Sequence, residues 1–242
     1  LSTLAVARDG SPCFALEGSV FSSGSTIQWL RDGLGILDSA EQSEELAKSV
    51  DDSGGVVLVP AFTGWGTPHW DPGARGLLIG LTRDSGRAQI ARAALDGIAL
   101  SVAGLVQLAE QSIGHSLGEL AVDGGAAASN PLLQAQADST GLRVRRPAHL
   151  ESTARGVALL AGVQSGVIAD LSDLVSQRKS SRPRASTPRW ERKNDKPGLS
   201  AGTMLSHGVF TGMDDTAYDL LIIGGGASGA CVAYEAVRRG LR

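Results

Sequence analysis

Leu120-Ala121-Val122-Asp123-Gly124-Gly125-Ala126-Ala127-Ala128-Ser129-Asn130-Pro131 carries the clearest change of backbone state in the chain. Leu120 to Val122 reads as a short strand and Asp123 to Asn130 as a glycine-rich turn. Pro131 to Thr140 reads as a helix with proline at its first position, where a missing N–H costs nothing. Gly141 terminates that helix. Between a strand and a helix N-terminus, unpaired backbone N–H groups and the positive end of the helix dipole are expected to face outward. Gly124 and Gly125 lack Cβ, so a phosphate or ribose could approach the backbone closely. Asp-Gly-Gly is also an ordinary tight turn, and spacing alone leaves both readings open. A further strand, Leu142 to Arg145, and a helix from about Thr153 to Val163 follow. Strands alternating with helices predict an α/β domain whose sheet is covered by helices.

Upstream, Ser2 to Ala7 and Pro12 to Leu16 flank Arg8-Asp9-Gly10-Ser11, which reads as a β-hairpin. Ser22 to Thr26 forms a small polar cap for a short helix over Ile27 to Asp32, closed near Gly33 or Gly35, and Ser39 caps a helix from Ala40 to Val50. Val56 to Val59, short, apolar and bounded by Gly55 and Pro60, reads as a buried strand. From Gln89 to Ile113, Ile90, Ala94, Ile98, Val102, Leu105 and Leu108 recur every three or four residues, which predicts a long amphipathic helix.

The 242 residues are 42% hydrophobic with a net charge of −3, enough apolar material for one sizeable core and no general attraction to nucleic acid or anionic membrane. Cys13 and Cys231 stand in no metal-ligand or redox spacing and read as reduced core thiols. No uninterrupted apolar run approaches the roughly 20 residues of a membrane span and no signal segment is present, so the expected location is cytoplasmic. The start at Leu1 and the stop at Arg242 both look like cuts. After about Val175 the chain becomes cationic, rich in Ser, Arg and Pro and almost free of aliphatic residues. Residues 176–215 therefore read as a disordered linker rather than a nucleic-acid arm. Pattern returns in Tyr218 to Ile223, a strand, followed by Gly224-Gly225-Gly226-Ala227-Ser228-Gly229 and a helical Ala230 to Arg239.

Several stretches in one collinear order carry a family resemblance over residues 1–175. Leu58-Val59-Pro60-Ala61-Phe62-Thr63-Gly64-Trp65-Gly66-Thr67-Pro68-His69-Trp70-Asp71-Pro72-Gly73-Ala74-Arg75-Gly76 resembles the signature loop of glycerol kinases. Ala15 to Phe21 with Gln28 to Asp32, and Gly80 to Arg83 with Arg92 to Ala99, resemble the same group and the wider FGGY carbohydrate kinases. The resemblance implies the C-terminal, nucleotide-binding domain of an actin/hexokinase/Hsp70-like (ribonuclease H-like) kinase. Its substrates would be ATP with Mg²⁺ and glycerol, and the intact enzyme is expected to be a homo-oligomer. Gly24 and Gln28 fall where the family contacts ADP from a helix start, and Gly125 and Ser129 where it does so from the glycine turn. Many members carry Asn at the position of Ser129, and the neighbouring Asn130 could share or take over that contact. The resemblance places the phosphate-binding turn, the glycerol-gripping residues, the Mg²⁺ ligands and the catalytic aspartate upstream of Leu1. No catalytic or metal-binding residue is therefore assigned in this chain, and alone it is expected to be inactive. Asp71 and Asp123 read as turn and capping residues, and Trp65, His69 and Trp70 as packing rather than a sugar platform.

Tyr218 to Ala230 is similar to the start of FAD-dependent glycerol-3-phosphate dehydrogenases, and residues 216–242 would be a truncated Rossmann-like βα unit. Gly224 would make the tight turn, Gly226 admit the FAD pyrophosphate and Gly229 let helix and strand touch. A kinase–dehydrogenase fusion joins consecutive reactions, and a read-through of two genes fits equally well. Two other readings stand beside a glycerol kinase fragment: a dehydrogenase with a kinase-derived extension, and an inert nucleotide-binding module.

Overall fold

The computed structural model describes residues 2–6, 11–169, 189–190 and 221–224. The hairpin forms as expected. β1 (Ser2–Val6) pairs antiparallel with β2 (Pro12–Ser19), Val6 opposite Pro12 and Ser2 opposite Leu16. α1 (Gly24–Gln28) begins earlier than the sequence suggested, because Thr26 donates its N–H to the Ser23 carbonyl and its hydroxyl to the Ser22 carbonyl. Gly24 is thereby the first residue of that helix. It continues as one π-helical turn, Trp29–Gly33. α2 (Gln42–Lys48) follows, with the Ser39 hydroxyl accepting from Gln42 N as the cap signal implied.

β3 (Val57–Val59) pairs antiparallel with β4 (Leu77–Ile79). The sequence reading did not include β4, whose three apolar residues, two of them exposed, lack the alternation that marks a strand. α3 (Arg87–Ile113) is the axis of the domain, with thirteen of its 27 residues buried. It starts two residues before the predicted Gln89, because the Gln89 side chain reaches back to accept from Gly86 N. Gly114, at φ +74°, closes it and donates to the Glu110 carbonyl. By length and composition α3 could cross a membrane, but 67% of its apolar window is buried inside the domain, as befits a core helix.

β5 (Glu119–Ala121), a 3₁₀ turn (Gly125–Ala128), α4 (Asn130–Thr140), β6 (Arg143–Arg145) and α5 (Ser152–Gln164) complete the predicted order. β5 and β6 run parallel in register, Leu120 opposite Val144. Apolar side chains gather on both flanks of α3. Val102 and Val106 pack with Leu120, Leu133, Ala137, Leu142 and Val144, while Ala93 and Ala94 pack with Leu30, Leu37, Val56 and Leu58. Gly97 has a packing reason: a Cβ there would collide with the Leu58 carbonyl, so glycine lets α3 lie directly on β3.

Among the described residues, with β7 (Arg189–Trp190) and β8 (Leu221–Gly224), the strands divide among three small sheets, β1-β2-β8, β3-β4 and β5-β6-β7. β7 (Arg189–Trp190) lies antiparallel to β6, so at these two residues the chain pairs with the domain where a linker was expected. The other residues of that segment lie outside the described residues. β8 (Leu221–Gly224) lies parallel to β2, with Leu221 opposite Leu16 and Gly224 opposite Ser19. Of the expected strand Tyr218 to Ile223, Leu221 to Ile223 are described as strand, joined to the first sheet with Gly224 as the last strand residue, and the turn expected after it lies outside the described residues. Gly226, Gly229, Cys231 and the helix Ala230 to Arg239 lie outside the described residues. Cys13 is a free thiol, half-buried on β2 rather than in the core.

Candidate functional site at two helix starts

Parallel pairing of β5 and β6 delivers the chain into the Asp123–Asn130 turn, and a series of polar contacts fixes it there. Arg145 Nε pairs with Glu119 Oε1 across the two strands. Val122 donates its N–H to the Arg145 carbonyl at 3.0 Å, and Gly124 donates to the Leu150 carbonyl at 2.8 Å. Gly124 takes φ +79° and ψ 175°, a conformation essentially restricted to glycine, and this sharp bend throws Gly125 outward. Arg146 Nη1 donates to the carbonyls of Ala127 and Ala128, both at 2.9 Å, and closes the far side of the turn.

The start of α4 is occupied, contrary to the expectation of outward, unpaired N–H groups. Asn130 N donates to Glu44 Oε1 of α2 at 3.1 Å, Pro131 has no N–H, and Leu132 N donates to the Ser129 hydroxyl at 3.4 Å. The Glu44 carboxylate also meets the positive end of the helix dipole. Asp123 adds a further acidic group. Burial raises its pKa above the ordinary carboxylate value, a hydrogen bond from Ser152 acts the other way, and the nearby Glu151 charge raises it again. A phosphate at this helix start would meet negative charge and filled donors, whereas an uncharged ribose or base would not.

A second helix, α1, packs on the same apolar cluster as the turn. Ile27 of α1 and Ala126 of the turn pack against one apolar cluster formed by Ala47, Leu95, Ile98, Ala99, Leu132 and Ala135. Their sequence neighbours Gln28 and Gly125 are both exposed, as is Asn130. Gly24 and Gly125 share a further property. A Cβ on either would find no atom within 4 Å, and neither has positive φ, so the fold itself does not demand glycine there. Of the five kinase-type residues chosen from sequence, Gly24, Gln28 and Gly125 thus lie on elements joined by one cluster. Ser129 serves first as the α4 cap, and Asn130 is tied through its backbone to Glu44. Neither Glu44 nor Arg146 was among them. Their contacts span 86 and 18 to 19 residues, and no local spacing signals them.

The Leu58–Gly76 loop is held by packing. Trp29 and Phe62 lie 4.7 Å apart ring to ring, and Phe21 meets Trp70 edge-on at 5.9 Å. Thr67 exchanges two hydrogen bonds with Ser19, N–H to carbonyl at 3.1 Å and hydroxyl from N–H at 3.0 Å. Asp71 accepts from Gly73 N at 2.7 Å, the turn role its Asp-Pro context implied. Among the described residues no group of three or more His, Cys, Asp or Glu could hold a metal ion.

Residues 3–165 match the C-terminal domain of the FGGY family of carbohydrate kinases. The chain is 52% identical over 182 residues to the glycerol kinase of Dechloromonas aromatica (strain RCB), covering 75% of this chain and 36% of that protein. It is 50% identical over 182 residues to the glycerol kinase of Gloeobacter violaceus, covering 75% of this chain and 37% of the relative. It thus spans about a third of the length of these relatives. Among solved structures, the Plasmodium falciparum glycerol kinase with ADP matches with a TM-score of 0.60 at 28% identity, over 70% of this chain and 33% of that one. A ligand-bound xylulose kinase from Lactobacillus acidophilus shares the fold at a TM-score of 0.54 and 20% identity, over 70% of this chain and 34% of that one.

Proposed function

The chain belongs to the FGGY family of carbohydrate kinases, and on that basis we propose that it is the nucleotide-binding part of a glycerol kinase. The whole enzyme would move the γ-phosphate of ATP to a glycerol hydroxyl, giving sn-glycerol 3-phosphate. The observation that supports the reading is the packing of two segments around one apolar cluster, Gly24 with Gln28 and Gly125 with Ser129 and Asn130, with open space where a Cβ on either glycine would stand. With the α4 start filled by Glu44 and Ser129, this side suits the adenosine end of ATP. Phosphoryl transfer also needs a base for the attacking hydroxyl and charge around the γ-phosphate and Mg²⁺, and these roles fall to a first domain that precedes this part in the kinase. The expected setting is a cytoplasmic homo-oligomer.

The test compares the chain with the full-length kinase. The full-length protein should phosphorylate glycerol at the expense of ATP, and the 242-residue chain, purified free of host kinase, should show no turnover while binding ADP weakly. Half a cleft lacks both the γ-phosphate grip and the closure that excludes water. Turnover by the chain alone would overturn the assignment of the catalytic groups to another domain.

A second reading concerns only the last residues. Gly224-x-Gly226-x-x-Gly229, opening at the end of the apolar strand Leu221–Gly224, supports an FAD-binding βα unit, and hence a kinase joined to a flavin-dependent glycerol-3-phosphate dehydrogenase. A flavin absorbance band that copurifies with the full-length protein and disappears in Gly226→Val is the expected result. A full-length protein without bound flavin that cannot be reconstituted with FAD would remove this reading and leave the kinase reading untouched.

A further inference from the structure

Helix α2 touches α4 at two points. Ala47 is buried in the cluster that contains Leu132 and Ala135, and Glu44, three residues earlier, reaches the first N–H of α4. One carboxylate oxygen, Oε1, accepts from Asn130 N at 3.1 Å, and the other, Oε2, accepts from Lys48 Nζ at 2.9 Å. The Glu44 side chain is 22% exposed, so water screens it incompletely. A hydrogen bond to a charged acceptor at a helix start combines the short-range bond with the dipole interaction, which makes it one of the stronger single polar contacts available to a helix.

Its location gives it a consequence beyond holding α4. Residues Gly125 to Asn130 are gripped at two places: Arg146 takes the carbonyls of Ala127 and Ala128, and Glu44 takes the N–H of Asn130. Pro131 offers no N–H and Leu132 is already bonded to Ser129, so removing Glu44 would open Asn130 as a donor in this first turn. The same removal would free the Ser129–Asn130 end to move and would withdraw the negative charge that keeps phosphate from this helix start.

We propose that Glu44 is a positioning residue for the nucleotide: its bond to Asn130 fixes the Ser129–Asn130 end of the glycine turn so that the turn receives the uncharged end of ATP and not its phosphates. This rests on the proposed nucleotide site. Glu44 touches no reacting atom, so its loss should change nucleotide affinity and leave the chemical step alone.

The experiment uses the full-length kinase in four forms: unmodified, Glu44→Ala, Glu44→Gln and Lys48→Ala. ADP affinity by calorimetry, KM for ATP, KM for glycerol, kcat and the melting temperature without nucleotide are measured for each. Glu44→Ala should weaken ADP and raise the ATP KM by about fivefold or more, the size expected for one charge-assisted hydrogen bond, with kcat and the glycerol KM within about twofold. Glu44→Gln keeps an acceptor oxygen and should recover most of the loss. Lys48→Ala leaves the Asn130 bond in place and should bind ADP normally. Unchanged ADP affinity in Glu44→Ala would overturn the proposal, as would an equal loss in Lys48→Ala or a loss that only follows a fall in melting temperature. Gly125→Val separates the two levels. If it blocks ADP while Glu44→Ala does not, the positioning role fails alone; if neither disturbs ADP, the nucleotide reading of the turn falls with it.

Discussion

The Leu58–Gly76 loop and the Asp123–Asn130 turn are both glycine-rich, yet their glycines answer to different constraints. In the loop, a Cβ on Gly66 would strike the Ser19 carbonyl, one on Gly64 would meet Asp71 O at 2.7 Å, and one on Gly76 would meet the Phe62 ring at 2.6 Å. These glycines are required by neighbours within the chain. In the turn, Gly124 is required by its own φ of +79°, and Gly125 by nothing in the domain, since a Cβ there faces open space. A glycine that the fold does not need, on an exposed turn that shares an apolar cluster with the helix of a second open glycine, Gly24, is the kind a ligand needs. Ranking glycine substitutions by their effect on the empty domain therefore tests the distinction.

The largest effect should come from Gly97, where α3 crosses β3. Gly97→Val would drive a branched side chain into the Leu58 carbonyl, and helix and strand would have to part. A loss of about 3 kcal/mol in denaturant unfolding is expected. A near-neutral result would mean that α3 and β3 can slide apart without cost, and the structural class of glycine would lose its clearest member.

Gly124→Ala should come next. The φ and ψ of Gly124 fall in a region that side chains avoid, and its N–H is committed to the Leu150 carbonyl, so the turn cannot easily relax. The expected cost is on the order of 1 to 3 kcal/mol, measured the same way. A loss of nucleotide affinity larger than this loss of stability would show that the bend also touches the ligand.

Smaller still is the effect of Asp123, which is a matter of pH. Burial raises the Asp123 pKa above the ordinary value of 3.8, so the folded domain holds this proton more tightly than the unfolded chain does. Its contribution to stability is complete below the unfolded pKa and is lost as pH rises through the raised folded pKa. Asp123→Asn removes that loss, and its stability relative to the unmodified domain should improve from acid toward neutral pH. A difference that stays flat across the carboxylate range would show that Asp123 is as well solvated folded as unfolded.

Much of this was legible in the sequence because it is local. The strand–turn–helix from Leu120 to Thr140, the long period of α3 and the Asp-Gly hairpin are written in neighbouring residues, and the structure places them within a few residues of expectation. The capping roles of Ser39 and Asp71 were legible for the same reason. What escaped was non-local. The filled α4 start depends on Glu44, 86 residues away, and a glycine turn before a proline looks the same with or without such a partner. β4 escaped because three apolar residues carry no period. The pairing of Leu221–Gly224 with β2 escaped because an apolar strand before a glycine run does not name the sheet it joins. At the site, the sequence pointed to the turn but not to which glycine carries the strain.

Gly125→Val should have the smallest effect on the empty domain, and it is the decisive case. Gly125 opens the 3₁₀ turn without positive φ, and its Cβ position faces no atom within 4 Å, so a valine there meets neither a backbone penalty nor a clash. Stability without nucleotide should stay within about 0.5 kcal/mol of the unmodified protein, the usual range for an exposed substitution. In the full-length kinase the same side chain would stand in the proposed path of the nucleotide, and on that proposal the ATP KM should rise by about tenfold or more, equivalent to roughly 1.4 kcal/mol of lost binding. The glycerol KM should not follow, because the proposed reading gives glycerol no contact with this turn. Asp84→Ala is the matching control, an exposed loop residue whose N–H bonds to the Thr82 hydroxyl, and it should leave both constants and the stability unchanged. An unaltered ATP KM in a folded Gly125→Val enzyme with intact glycerol kinetics would make Asp123-Gly124-Gly125 an ordinary tight turn, and the openness around Gly125 would then be an unused surface instead of a nucleotide's approach.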